Sequence, residues 1–198
     1  MFMNLGVPGY ALAYFLPIIL KGMGYSTGMS LLMSSLPVIP GVVVCLGFGW
    51  LADKCRLRAP FIALGTLFII AGLSMTAYSS NHGVRYFGVC LCTAGQLSNV
   101  PTLFAYQSNN IRMDSKRSVS SALLIGTGSI GGIFASNVFR AKDAPGYRNG
   151  FWAVIGCQLF NLLLLAGMTV YFKKKNRQQK EGTLEKPLEN HPGFTYTI

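Results

Sequence analysis

The sequence has few charged residues, few acids and only two histidines. Asp, Glu, Lys and Arg make up 12% of the 198 residues, whereas hydrophobic residues make up 51%. Soluble domains carry about 25% charged residues, so this composition favours a membrane protein instead. The net charge of +11 would suggest nucleic-acid binding in a soluble protein. Here the basic residues all lie between or after apolar runs, so we predict no nucleic-acid partner.

The sequence also lacks a recognisable metal or catalytic constellation. The five cysteines are odd in number, all but Cys55 lie in apolar runs, and no CxxC pair or histidine cluster accompanies them. We therefore predict no disulfide framework, no metal site and no cofactor. A membrane enzyme would need a His, Cys or carboxylate constellation in or beside its spans. Since none occurs, the chain is predicted not to be an enzyme.

One glycine pattern resembles a nucleotide-binding motif by spacing alone. Gly126, Gly128 and Gly131 spell GxGxxG, which binds dinucleotides only between a strand and a helix N-terminus, with an acid about 20 residues further on. These glycines lie in the middle of an apolar run, and the nearest downstream acid is Asp143. We therefore reject the nucleotide interpretation. Close helix packing is expected instead at Gly128 and Gly132, which are four residues apart, and at Gly41, Gly47 and Gly49 in the second span.

Long apolar stretches dominate the chain, and six of them reach the roughly 20 residues that a membrane-crossing helix needs. No Asp, Glu, Lys, Arg or His interrupts them. We predict an all-α membrane protein whose residues 1–175 form six transmembrane helices. The predicted spans are 1–20, 28–52, 59–78, 86–106, 119–139 and 151–172. Residues 176–198 are polar and broken by proline and glycine, so we predict a disordered tail.

The orientation follows from the distribution of Lys and Arg between alternate loops. Eleven basic residues fall in the loops after the second, fourth and sixth spans, against five in the other loops. Positive charge is retained on the cytoplasmic side. We therefore predict that both termini are cytoplasmic. The chain also begins with an apolar stretch and no charged lead-in, which we interpret as a sign that it is part of a longer protein.

A short basic loop joins the second and third spans. Its sequence, GWLADKCRLR, contains Gly49, Asp53, Arg56 and Arg58. One interpretation is a gating loop, in which Asp53 faces the positive N-terminal end of a neighbouring helix. The alternative is that these charges only anchor the loop at the membrane surface. The residues by themselves leave both open.

Four sequence blocks carry a resemblance to a known family. They are the GxLxDxxxxR loop, YFLPIILKGMGYS at 14–26, SNN at 108–110 with KRSVSSALLIGTGSIGG at 116–132, and SNVFRAKDAPGYRNG at 136–150. Together they resemble the C-terminal half of a major facilitator superfamily transporter of the fungal anion:cation symporter group, which is allantoate permease-like. The loop departs from the family pattern, which has a glycine and then an arginine where this chain has Arg56 and Leu57.

The resemblance implies that the six spans correspond to the second half of a twelve-helix transporter of the plasma membrane. Such a protein would carry a small organic anion such as allantoate, nicotinate or pantothenate, with H⁺ as co-substrate, and would need the missing N-terminal half. The alternative is a truncated half without transport activity of its own.

The resemblance also places the first and fourth spans at the central cavity, with the fifth as a flanking wall. The cavity candidates are then the polar or aromatic groups near mid-span: Tyr10, Tyr14, Gln96, Asn99, Thr127 and Ser129. Tyr10 and Tyr14 are four residues apart and share a helical face, and Gln96 and Asn99, three apart, are expected to do so as well. Phenol and amide groups can bind a carboxylate without a buried charge. The alternative role for each is a polar contact between helices.

Overall fold

The structure is a computed structural model that describes residues 1–22, 24–79, 81–138, 148–183, 188–190 and 193–197. Within these residues the fold is entirely helical, which confirms the predicted all-α class. Seven helices follow one another along the chain: α1 (Phe2–Gly22), α2 (Thr27–Ser35), α3 (Val38–Cys55), α4 (Ala59–Tyr78), α5 (His82–Asn109), α6 (Asp114–Val138) and α7 (Arg148–Lys180). A short 3-10 turn covers Leu188–Asn190.

The predicted second span is divided between α2 and α3. Pro37, which has no backbone N–H, occupies the N-cap of α3, and Pro40 lies in its first turn. A proline is tolerated in the first turn because that backbone N–H has no helical partner in any case. The break therefore falls where the sequence places two prolines three residues apart, and Thr27–Cys55 still has the length and composition of one membrane span.

Among the described residues, four helical stretches are long and apolar enough to cross a membrane: Thr27–Cys55, Ala59–Tyr78, Asp114–Val138 and Asn149–Lys180. Phe2–Ile18 is a shorter apolar helix. α5 is long, with 28 residues, but it contains no stretch as apolar as those four. Its Ser98, Asn99 and Thr102 are buried inside the bundle. Polar side chains are tolerated at membrane depth when protein covers them.

The tightest helix contact joins α4 to α5 through small residues. A Cβ added at Gly95 would lie 2.5 Å from the carbonyl oxygen of Gly65, and one at Gly88 would lie 2.6 Å from that of Gly72. Only glycine allows two helix backbones to approach this closely. α5 also packs on α3 and α1, so it lies at the centre of the bundle.

The bundle is completed by α1, which packs mainly on α6, and by α7, which packs on α4 and α1. Leu5, Ile62, Ile69 and Val154 are fully buried where these helices meet. Many large apolar side chains remain exposed on the outer faces, such as Leu46 and Leu163. Exposed apolar area of this extent is typical of a surface that lipid or another protein covers.

The structure describes the C-terminal part of the chain in separate pieces. The end of the predicted fifth span at Phe139 and most of the SNVFRAKDAPGYRNG block lie outside the described residues. The sequence also predicts disorder from residue 176, but α7 continues to Lys180 and residues 193–197 contact α5 and α7. The helix continues because residues 173–180 contain no glycine or proline to end it.

Candidate functional site

A cavity of about 440 Å³ opens between α1, α5 and α6. It is mostly apolar, and its walls include Phe2, Val100 and Ile125. Three of the six predicted cavity residues line it together: Tyr10 from α1, Gln96 from α5 and Ser129 from α6. We call this cavity the groove.

The groove exists because α1 and α6 approach each other over glycines. A Cβ at Gly131 would lie 2.5 Å from the carbonyl oxygen of Met3, and one at Gly128 would lie 2.5 Å from the ring of Phe2. Gly132 lies under the ring of Tyr10, because a Cβ there would be 3.2 Å from its ring carbons. Gly128 and Gly132 therefore have the close-packing role that their spacing predicts, whereas a Cβ at Gly126 would meet no described atom within 4 Å.

Gln96 joins α5 to α1 at the groove. Its Nε2 donates to the carbonyl oxygen of Leu5 at 2.7 Å. A Cβ at Gly9 would lie 2.7 Å from the same Nε2, so the glycine leaves room for the amide. The Gln96 Oε1 is buried and has no hydrogen-bond partner among the described residues. The amide is thus fixed against α1, and its unpaired atom is a hydrogen-bond acceptor.

Tyr10 and Tyr14 lie on one face of α1, as the sequence predicts. Their rings stack with centroids 6.2 Å apart, and Tyr14 is 55% exposed against 36% for Tyr10. Only Tyr10 is part of the groove wall. Tyr14 continues the aromatic face beyond the groove, toward the side that the described helices leave uncovered.

The structure does not bring Asn99 or Thr127 to the groove. Asn99 is fully buried on the face of α5 that packs against α4, where its amide lies 3.2 Å from Thr66 Oγ1. Side chains three residues apart point about 60° apart around the helix axis, so Gln96 and Asn99 meet different neighbouring helices. Thr127 lines a second cavity of about 480 Å³ near the ends of α5 and α7, together with Gln107 and Tyr196.

The basic loop between α3 and α4 is held by an ion pair within the loop. Arg58 Nη2 pairs with Asp53 Oδ1. Arg56 ends α3 with φ of 54°, the left-handed conformation, and its N–H donates to the Asp53 carbonyl at 3.3 Å. This is the position that the family pattern fills with glycine, and the left-handed conformation explains that preference.

The structure pairs Asp53 with Arg58, the N-cap residue of α4, and not with the start of α6. Arg117 at the start of α6 donates to Ser108 Oγ at 3.1 Å. A Cβ at Gly49 would meet no described atom within 4 Å, so close packing does not explain that glycine. The pairing within the loop is favoured because Asp53 and Arg58 are only five residues apart across one tight turn.

Arg56→Gly tests whether the loop conformation is strained. Glycine adopts the left-handed conformation without strain, whereas alanine retains the strain, and both substitutions remove the guanidinium. The unfolding free energy of Arg56→Gly is therefore expected to be about 1 kcal/mol higher than that of Arg56→Ala. We expect Arg56→Gly to unfold at the higher denaturant concentration when both variants are titrated in detergent. Equal midpoints would contradict a strained Arg56.

Two polar contacts between helices have no counterpart among the sequence predictions. Gln158 and Asn161 of α7 are fully buried, and Gln158 Nε2 donates to the carbonyl oxygen of Asn4 on α1. Gln107 Nε2 donates to Ser120 Oγ at 2.6 Å and so links α5 to α6. Two amides three residues apart in an apolar run, GCQLFN, were the available signal for the α7 pair.

The described residues offer no metal site, because no group of three or more His, Cys, Asp or Glu side chains lies together among them. The groove is lined by uncharged groups, and its polar members are a phenol, an amide and a hydroxyl. Such a site suits non-covalent binding of a polar ligand. The sequence prediction that the chain uses no cofactor stays a prediction.

The helical bundle, its exposed apolar faces and its mid-bundle groove define a multi-pass membrane protein, and its relatives are transporters. The chain is 30% identical to the "MFS-type transporter cnsO" of Penicillium expansum over 181 residues, which are 89% of this chain and 35% of that protein. It is 30% identical over 173 residues to the "High-affinity nicotinic acid transporter" of Saccharomyces cerevisiae, covering 86% of this chain and 32% of that protein.

A third relative is the "Major facilitator-type transporter hxnP" of Emericella nidulans, 28% identical over 178 residues, 86% of this chain and 36% of that protein. The chain thus spans about a third of the length of the curated relatives it matches. No family model and no solved structure matches the chain. The similarities support a fungal transporter of the major facilitator type, and the fold is consistent with one six-span half of that architecture.

Proposed function

We propose that the chain forms one half of a twelve-helix transporter that carries a small organic anion across the membrane by proton symport with alternating access. The substrate class is a carboxylate such as nicotinate, pantothenate or a ureide like allantoate, as in allantoate permease-like symporters. The observation that carries the proposal is the groove, which gathers Tyr10, Gln96 and Ser129 from three helices in a chain similar to transporters.

The chemistry of the groove supports an anionic substrate. A phenol and a hydroxyl both donate hydrogen bonds to a carboxylate, and the aromatic rings of Tyr10, Phe2 and Phe104 offer flat apolar surface to the rest of the molecule. The lining carries no acid that would repel an anion. Neutral donors avoid the cost of a charge buried in the membrane.

The open side of the groove supports the proposal that the chain is one half of a transporter. The groove opens past Tyr14 and Ile125, which are 55% and 56% exposed. In a major facilitator transporter the second six-helix half covers the cavity near the bilayer midplane. We propose that the N-terminal half completes this groove. The 198 residues would then be one part of such a transporter, which is consistent with the greater length of the relatives.

The orientation and location follow from charge. The ends of α3, α5 and α7, together with the starts of α4 and α6, carry eleven Lys and Arg residues. We call this the basic end and propose that it faces the cytoplasm, so that both termini are cytoplasmic in a plasma-membrane protein.

Proton symport requires a side chain that takes up and releases a proton during transport. The predicted spans contain no Asp, Glu, Lys, Arg or His. We therefore place any proton-carrying side chain outside these six spans, either in the other half or at the edge of a loop. Initial uptake rates at external pH 5 and pH 7.5 test the coupling. Symport predicts faster uptake at the lower pH, and equal rates would contradict it.

A truncated half without transport activity is the second candidate. The chain spans about a third of the length of its relatives, which fits both candidates equally. An open reading frame for six further spans upstream of the Met1 codon would support the transporter, whereas a stop codon there would support the truncated half.

Uptake of labelled substrates tests the transport proposal directly. The full-length gene product, and this chain alone as the matched control, are expressed in yeast that lacks such permeases. We expect the full-length protein to take up at least one of nicotinate, pantothenate and allantoate, and this chain alone to take up none. A well-expressed, membrane-localised full-length protein that transports no organic anion would contradict the proposal.

Asp53→Asn tests whether the basic loop contributes to transport. The change breaks the ion pair with Arg58 but leaves the Asp53 carbonyl free to cap α3 through Arg56. We expect slower transport at unchanged surface expression, because the exposed loop contributes little to stability. Unchanged uptake would show that the loop charges only anchor the loop at the membrane surface.

A further inference from the structure

The basic end carries an extended stretch of the chain that packs back onto the helices. Residues 193–197, which we call the tail segment, lie across the ends of α5 and α7. They also form one wall of a cavity of about 520 Å³, whose opposite wall is the basic loop with Asp53, Arg56 and Arg58.

Two asparagines bind the backbone of the tail segment in the same way. Asn176 of α7 accepts from the Tyr196 N–H at 2.8 Å and donates to the Tyr196 carbonyl at 2.8 Å. Asn110, which follows α5, accepts from the Thr197 N–H at 2.8 Å and donates to the Thr197 carbonyl at 3.2 Å. A side-chain amide that pairs with both backbone groups of one residue recognises an extended peptide, as a neighbouring strand does.

An aromatic contact adds side-chain selectivity. The ring of Tyr196 stacks on Phe172 of α7 with centroids 4.5 Å apart and planes 19° apart. Tyr196 is partly buried there, and burial, followed by the charge of Glu189 and by Tyr171, raises the pKa of its phenol. Stacked aromatic pairs contribute beyond the area that they bury.

The stretch just before the tail segment contacts the same end of the bundle. The Leu188 N–H donates to Gln179 Oε1 at 3.2 Å, and Leu188 is buried. Glu189 pairs with Lys116 of α6 at 3.6 Å. Contacts from this stretch and the tail segment therefore reach α5, α6 and α7.

We propose that the ends of α5 and α7 form a peptide-docking site, built from Asn110, Asn176 and Phe172, whose occupant is the chain's own tail segment. Docking of the tail segment bridges the ends of α5 and α7 and closes one side of the cavity at the basic loop. The inference rests on the contacts of this end of the bundle and not on the proposed transport function. It assigns Asn110, in the SNN block, a role in recognising the tail backbone.

Residue-resolved amide hydrogen exchange on the chain in detergent micelles tests the proposal. The two asparagine-bound amides, Tyr196 and Thr197, should exchange about tenfold or more slowly than in a synthetic peptide of residues 188–197, because each makes a hydrogen bond in a packed site. Exchange at the free-peptide rate in the unsubstituted chain would overturn the proposal.

Two substitutions assign the protection to the asparagines. Asn176→Ala should speed exchange at Tyr196, and Asn110→Ala should speed exchange at Thr197, each toward the peptide rate. Lys174→Ala, an exposed change on the same helix as Asn176, is the control and should change neither amide. Protection that survives both asparagine substitutions together, in a variant with unchanged helix content, would also overturn the proposal.

Discussion

Gly131→Ala is expected to lower the unfolding free energy of the chain by about 1 to 3 kcal/mol relative to Gly126→Ala. The added methyl at Gly131 would lie 2.5 Å from the Met3 carbonyl oxygen and 3.4 Å from the Val7 nitrogen. Both are backbone atoms of α1, so α1 and α6 must move apart to admit it. Since these two helices enclose the groove, the same change should reduce ligand binding there.

Gly126→Ala is the matched control because Gly126 lies five residues earlier on the same helix. A Cβ there would meet no described atom within 4 Å. Both substitutions gain the same helix propensity, so their difference reports the clash alone. Denaturant titration of both variants in one detergent measures this difference. Equal midpoints would show that α1 and α6 are not packed backbone to backbone at Gly131.

Tyr10→Phe is expected to raise the KM for the transported anion roughly 10- to 100-fold in the full-length protein. A hydrogen bond to a charged group contributes about 1.5 to 3 kcal/mol, and the substitution removes only the hydroxyl while it keeps the ring over Gly132. Loss of binding shared by the ground state and the transition state raises KM and leaves the maximal rate nearly unchanged.

Tyr78→Phe is the control for Tyr10→Phe. Tyr78 ends α4, outside the groove lining, where its ring packs against Trp152 with centroids 6.0 Å apart. We expect uptake kinetics identical to those of the unsubstituted protein. A KM that Tyr10→Phe leaves unchanged at equal surface expression would remove Tyr10 from the substrate site.

The sequence was sufficient to predict the helical class, because uncharged runs of 20 residues have few other structures available. The six spans stay a prediction: among the described residues, four helical stretches are long and apolar enough to cross a membrane. The sequence also placed Tyr10, Gln96 and Ser129 in one cavity, which the family resemblance implied. It did not show that Gln96 lines the cavity whereas Asn99 does not, because a three-residue step leaves two side chains on adjoining faces. Which face meets α1 and which meets α4 depends on the glycines of the neighbouring helices.

The other differences have a common physical cause. Asp53 pairs with Arg58 and not with α6, and Gln158 of α7 binds the Asn4 carbonyl across the bundle. Such polar partners are chosen by three-dimensional proximity, which a hydrophobic pattern does not encode. The tail segment differs for the same reason: its polar composition predicts disorder, but two asparagines more than 60 residues apart bind its backbone.

Substrate protection of a thiol in the groove tests the central claim most directly. The full-length protein carrying Ser129→Cys is treated with a small maleimide, with and without a saturating transported anion, and the exposed native Cys55 in the basic loop is the internal reference. We predict that the anion slows modification at position 129 several-fold and leaves the Cys55 rate unchanged. Modification at position 129 that proceeds equally fast with and without the anion, in a variant that still transports, would contradict a substrate site in this groove.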